Sequence, residues 1–155
     1  MPVSRLKHCL DGHNVKYVTI KHSPAYTAQE IAESAHIRGQ ELAKTVMVKI
    51  DGRMAMAVVP ASQKVNLNLL KQAAGASKAE LAREDEFKDK FPECELGAMP
   101  PFGNLYGMEV FAAETLAADE EIAFNAGSHT ELIRMPYKDF ERLVEPRIIK
   151  LSSPG

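Results

Sequence analysis

A chain of 155 residues is the length of one domain, and 45% hydrophobic content is enough to enclose a single core without metals or disulfides. Its 19 basic and 21 acidic residues leave a formal net charge of -2, which excludes indiscriminate attraction to nucleic acid or a membrane surface. Two cysteines, Cys9 and Cys94, are too few for a disulfide framework, no leader pattern is evident, and the longest apolar runs fall far short of the ~20 residues that span a bilayer, so a reducing cytoplasm is the expected compartment.

Taken in chain order, the pattern predicts alternating helices and strands. A short helix is expected from Ser4 to about Leu10, stopped by Gly12, and a β-branched, aromatic strand over Val15 to Ile20. Thr27 and Glu30 have the spacing of a capping box, and Ala28, Ile31, Ala32 and Ala35 follow at helical intervals. The apolar runs Lys44 to Ile50 and Arg53 to Pro60 are separated by Asp51 and Gly52, which is the signature of a β-hairpin with a type I′ turn. Because Met54 to Val59 is apolar on both alternating faces, that hairpin belongs inside a sheet. Asn66 caps a helix that runs to Ala74 and stops at Gly75. Lys78 to Ala82 fits strand or helix equally, and Glu84 to Phe91 reads as a short helix. Leu96 to Gly107 is dense in glycine and proline and must be ordered turns. Strands follow at Glu109 to Ala113, Ile122 to Asn125 and Glu131 to Met135. Pro136 opens a last helix with Tyr137, Phe140 and Val144 facing inward, and Arg147 to Leu151 is an edge strand. The fold class is therefore α/β or α+β with a mixed, largely antiparallel sheet in one domain over residues 1–151, followed by a frayed tail at 152–155.

The common catalytic motifs are missing. No phosphate-binding loop, dinucleotide fingerprint, zinc-protease helix, nucleophile elbow or C-x-x-C is present, so neither a metal nor a cofactor is expected. His8, Cys9 and His13 read as solvent-facing polar residues, and Cys94 reads as a small buried hydrophobe because nothing near it in sequence lowers its pKa. Ser128 and His129 are neighbours in a turn, a poor arrangement for a nucleophile and its base. Three features stand above this background. Lys44 opens an otherwise apolar strand, where a cation either snorkels to the rim or meets an anion. Gly97-Ala98-Met99-Pro100-Pro101, followed by Phe102 and Gly103, makes a stiff loop whose free amides can point at an oxygen. Asn125-Ala126-Gly127-Ser128-His129 leaves a strand through a polar turn of the kind that lines pockets.

In this order the three features, with His22-Ser23-Pro24-Ala25-Tyr26-Thr27-Ala28 before them, resemble the family of YbaK-type proteins and the editing domain inserted in bacterial prolyl-tRNA synthetases. The likeness runs from about His22 to Ile149. Lys44-Thr45-Val46 is similar to the family's lysine-bearing strand, Gly97 to Pro101 to its G-x-x-x-P loop, and Phe124 to Gly127 to its late strand and glycine turn. The resemblance implies a barrel-like mixed sheet surrounded by helices and hydrolysis, in trans, of the ester of a mischarged tRNA. It implies that Lys44 binds the phosphate or ribose region of the tRNA 3′ end and that the loop from Gly97 to Pro101 supplies oxyanion donors through its amides. It further implies a small substrate pocket shaped by His22, Tyr26, Thr27, Ala98, Met99, Pro100, Phe102, Gly103, Asn125, Ala126, Gly127 and His129.

An aminoacyl ester is already activated, so positioning of water or of the substrate's own 2′-hydroxyl can replace a catalytic triad. The implied substrate is tRNA-Pro or a related tRNA carrying Ala, Ser, Thr or Cys, with a synthetase as a possible partner and no role for DNA or membrane. Lys49, Arg53, Lys64, Lys71 and Lys78 are available as a basic rim for the acceptor stem, although each singly reads as a solvated surface residue. Two other readings of the same residues stay open at this point: a noncatalytic tRNA- or synthetase-binding module, and a hydrolase of small aminoacyl esters.

Overall fold

The computed structural model describes residues 4–21, 41–91, 94–95 and 98–154. In chain order its elements are α1 (Ser4–Gly12), β1 (Val18–Lys21), β2 (Ala43–Ile50), β3 (Arg53–Pro60), β4 (Gln63–Val65), α2 (Leu67–Ala74), β5 (Ala79–Leu81) and α3 (Glu84–Phe87). After a single turn of 3-10 helix at each of Lys88–Lys90 and Gly103–Tyr106 come β6 (Glu109–Ala113), a third such turn at Glu114–Ala118, β7 (Glu121–Asn125), β8 (Glu131–Pro136), α4 (Tyr137–Val144), β9 (Arg147–Ile149) and β10 (Ser152–Pro154).

The hairpin organises the rest. Strands β2 and β3 pair antiparallel along their whole length, from Ala43 opposite Pro60 to Ile50 opposite Arg53. Asp51 at φ 51° and Gly52 at φ 83° both take the positive φ that a type I′ turn requires. The pair lies inside a five-stranded sheet of order β5-β2-β3-β6-β9, in which β3–β6 and β6–β9 are parallel. A second, antiparallel sheet has the order β1-β8-β7, and β10 with β4 forms a two-stranded ribbon. The two larger sheets meet at a parallel bridge between Leu42 and Ala123, where the Ala123 N–H donates to the Glu41 carbonyl at 3.0 Å.

One face of the five-stranded sheet carries Met56, Val58, Val110 and Ala112 into the main core with Phe102, Phe124 and Phe140. The other carries Val48, Ile50, Ala57, Val59 and Phe111 and is covered by α2 through the fully buried Leu70. Helix α2 has the ends its sequence predicts: the Asn66 side chain accepts from the Leu69 N–H, and Gly75 closes it at φ 66°. Helix α4 buries Tyr137, Phe140 and Val144 as its spacing requires.

Three expectations are corrected. The strands do not close into a barrel among the described residues. The edge strands β5 and β9 have three residues each, and the parallel pairing of β6 and β9 carries the sheet away from β2 instead of around it. The expected tail is ordered as β10: Leu151 is fully buried, its carbonyl accepts the Asn66 N–H at 2.6 Å, and Ser152, Ser153 and Pro154 lie opposite Val65, Lys64 and Gln63. Gly12 does not stop α1 short; the helix includes it, and the chain turns at Asn14, φ 55°.

Candidate active site

Lys44 is the second residue of β2, two positions beyond the bridge between Leu42 and Ala123. Carrying that parallel register two residues on sets Lys44 level with Asn125 at the end of β7, and strand alternation turns both side chains to the face that carries Leu42 and Ala123. Lys44 is half-buried, and burial holds its ammonium below the ordinary lysine range; the nearby charge of Lys64, on β4, pushes in the same direction. An anion placed here would relieve both effects. The Asn125 amide oxygen is buried and accepts no hydrogen bond from the described residues.

The second wall comes from two segments far apart in sequence. The Glu95 N–H donates to the Gly127 carbonyl at 2.8 Å, and the Gly127 N–H donates to the Ala98 carbonyl at 3.0 Å. These reciprocal bonds tie the loop before Ala98 to the turn after β7. Gly127 sits at φ 104°, a conformation that favours glycine. The turn closes on itself through Ala126 N–H to the Glu131 carbonyl, 3.1 Å, and Thr130 N–H to Ser128 Oγ, 3.4 Å. His129 is buried, with Nε2 3.9 Å from Glu95 Oε2.

The structure thus brings together Lys44, Ala98, Asn125, Ala126, Gly127 and His129. Met99, Pro100 and Pro101 are buried in the continuation of the same loop. Phe102 is built into the core, its ring centroid 5.6 Å from that of Phe124 and 5.8 Å from that of Phe140. Gly103 is there for packing: a Cβ would fall 2.7 Å from Val110 Cγ2. The expected residues His22, Tyr26, Thr27 and Gly97 lie outside the described residues. Within the loop the Ala98 N–H is already donated to the Glu95 carbonyl at 3.1 Å, and Pro100 and Pro101 have none. Among the described residues of the loop, Met99 is the one whose N–H is not donated to a backbone carbonyl.

Two neighbours of the site were not legible in the sequence. Lys64 reaches Lys44 through β4, a strand of three residues with no pattern of its own. Glu95 meets His129 across 34 positions of chain, and only the tertiary link between loop and turn reveals it. Cys94, half-buried with Sγ 3.9 Å from the Tyr106 hydroxyl, packs against the main core.

A half-buried cation level with an amide oxygen that has no donor among the described residues, beside a glycine turn and a stiff loop, suits binding of an activated ester better than attack by a protein nucleophile. The chain belongs to the aminoacyl-tRNA editing domain family, whose sequence profile matches residues 22–143, and its class is that of a hydrolase of aminoacyl-tRNA esters. It is similar to the prolyl-tRNA editing protein ProX of Acetoanaerobium sticklandii, 27% identical over 142 residues, spanning 88% of this chain and 86% of that one. It is also 28% identical over 153 residues to the multifunctional Ser/Thr-tRNA deacylase ProXp-y of Escherichia coli K12, spanning 94% and 89%. A proline–tRNA ligase of Bacillus mycoides matches over 90 residues at 28% identity, 58% of this chain but 16% of the ligase. Among solved structures, hypothetical protein APE2540 shares the fold at a TM-score of 0.86, with 18% identity over 97% of this chain and all of the other. A candidate trans-editing enzyme for prolyl tRNA synthetase shares it at 0.81, with 18% identity over 96% of this chain and 95% of that one.

Proposed function

We propose that this chain acts in trans as an aminoacyl-tRNA deacylase that removes a small, wrongly attached amino acid from the 3′ end of a tRNA, with tRNA-Pro as the first tRNA to test. The observation that carries the reading is the convergence of Lys44 with the Asn125–Gly127 turn and the loop tied to it. In the reaction, water adds to the ester carbonyl, the bond to the ribose oxygen breaks, and that oxygen takes the proton the water gives up. Free amino acid and uncharged tRNA leave, and no oxidant or reductant is involved. Lys44 holds the anionic end of the tRNA, where its ammonium gains an anionic partner that the described residues do not supply. In this reading the loop from Gly97 to Pro101 supplies amide donors to the developing oxyanion, which is the charge that most needs fixed donors. Asn125 offers its free acceptor to the substrate's ammonium or side-chain hydroxyl, within a pocket completed by His22, Tyr26, Thr27, Gly127 and His129. The relatives named for prolyl-tRNA editing and for Ser/Thr-tRNA deacylation support this substrate class, and the match to part of a proline–tRNA ligase supports a synthetase as partner in the cytoplasm.

The test is release of amino acid from purified tRNA-Pro charged in turn with Ala, Ser, Thr, Cys and Pro. The wild type is expected to deacylate one or more of the small residues and to spare proline. Lys44→Ala should lower kcat/KM by about 10- to 100-fold, the worth of a hydrogen bond to a charged group. It should do so without loss of fold, because burial makes this ammonium a cost to the folded state below its lowered pKa, a cost that fades as pH rises through it. Wild-type turnover in Lys44→Ala would remove Lys44 from the site, and no release from any of the five would overturn the deacylase reading.

A further inference from the structure

The five lysines and arginines noted along the sequence as a basic rim are sorted by the structure into two groups. Lys49 points to the main-core side and is neutralised, with Nζ 2.7 Å from Glu86 Oε2 and 3.7 Å from Glu80 Oε1; Lys78 lies 3.4 Å from Glu80 Oε2. Arg53, Lys64 and Lys71 are exposed and have no acidic partner among the described residues. These three share a side of the molecule. Lys44 belongs to the same face of β2 as Val46, Val48 and Ile50, the face on which α2 lies. Lys64 is beside Lys44, Lys71 is on the outer side of α2, and Arg53 is at the hairpin turn.

The track ends in a cleft of about 410 Å³ at the turn end of the sheet. Arg53, Lys90 and Arg147 line it against one acid, Glu109, with Tyr106 and Phe111 as aromatic walls. Arg147 is pinned there: it donates to the Ala73 carbonyl of α2 at 3.0 Å, its guanidinium lies 5.2 Å from the Phe111 ring centroid, and Glu109 Oε1 is 3.8 Å away. Arg53 and Lys90 are exposed and have no such partners among the described residues, which leaves the cleft with a surplus of positive charge. From Lys44 to Ile50 is six residues of strand, about 20 Å at the rise of an extended chain.

We infer that Lys64, Lys71 and the cleft lined by Arg53, Lys90 and Arg147 form a docking track for the phosphodiester backbone of the tRNA acceptor arm, running from Lys44 over α2 to the hairpin turn. Cations spaced over about 20 Å match a row of phosphates and not one small anion, and a few placed charges suffice where net charge is -2. The inference rests on the deacylase reading for the position of the 3′ end, but its test does not require turnover. Binding of full-length uncharged tRNA is measured by fluorescence anisotropy between 50 and 200 mM salt for the wild type and for Arg53→Glu/Lys90→Glu, with circular dichroism to confirm the fold. The variant is expected to bind at least about 10-fold more weakly at 50 mM salt and to show a shallower dependence of log K on log salt, smaller by about the two lost phosphate contacts. Affinity and slope within twofold of wild type would overturn the track. In a second arm, the loss in kcat/KM on charged full-length tRNA should exceed that on an aminoacylated CCA trinucleotide by about 10-fold; equal losses on both would also overturn it. Absence of wild-type turnover on either substrate would instead strike at the deacylase reading, leaving the binding result to decide the track.

Discussion

Tyr137 is where burial and hydrogen bonding disagree most openly. The residue is 3% exposed, and its hydroxyl has no hydrogen-bond partner among the described residues. Burial first, and the charge of Glu141 second, push the phenol up to about 12. The folded state therefore favours the neutral phenol, so the corresponding stability is intact below about pH 10 and is lost as pH rises from 10 towards 12. Tyr137→Phe is expected to raise stability at pH 7 by about 1 kcal/mol, by removing an unsatisfied buried hydroxyl, and to shrink the alkaline loss. Urea unfolding at pH 7 and pH 11 checks both signs. At this scale the sequence spoke clearly where a residue broke its surroundings' pattern, as Lys44 does at the head of an apolar strand. It was silent where meaning depends on a neighbour brought by the fold: Lys64 near Lys44, Glu95 beside His129, and the Asn125 oxygen without a donor among the described residues.

Three elements with their own punctuation were read as the structure has them, whereas Gly12 did not stop the first helix. Asp51-Gly52 announces the hairpin, Asn66 and Gly75 mark both ends of α2, and Pro136 with its inward triplet marks α4. Elements without it were not: β4, β5 and β10 have three residues each, too few for a period of two to declare itself, and they exist because a neighbour offers a partner. The turn at Gly103 shows how tightly one element is fitted to the next. A Cβ there would meet Val110 Cγ2 at 2.7 Å, the Met108 carbonyl oxygen at 3.1 Å and Met56 Sδ at 3.2 Å. Sulfur and methyl can give way, but the carbonyl belongs to the backbone that opens β6. Gly103→Ala is expected to cost about 1–3 kcal/mol, read as a lower denaturation midpoint at unchanged m-value. A midpoint equal to wild type would show that the turn has slack the geometry does not reveal.

For the whole molecule the fold class followed from sequence, while the arrangement of strands into two sheets and a ribbon did not, because pairing between segments about 90 residues apart leaves no local trace. The ribbon is also where a global prediction lies. Strand β10 covers β4, which positions Lys64, and Leu151 just before it is fully buried. Deleting residues 152–155 should cost about 1 kcal/mol, a fall in Tm of about 2–4 °C for a chain of this size. An unchanged Tm in a thermal scan would show that the ribbon contributes nothing.

The bridge between Leu42 and Ala123 has one more implication. Lys44 is carried by one sheet and Asn125 by the other, and although both sheets pack into one core, the Leu42–Ala123 bridge is the backbone link between them among the described residues. Amide exchange of Ala123, whose N–H spans the seam, reports opening there directly. A change that loosens this bridge is therefore expected to shift Lys44 relative to Asn125, the two residues that the proposed site sets level.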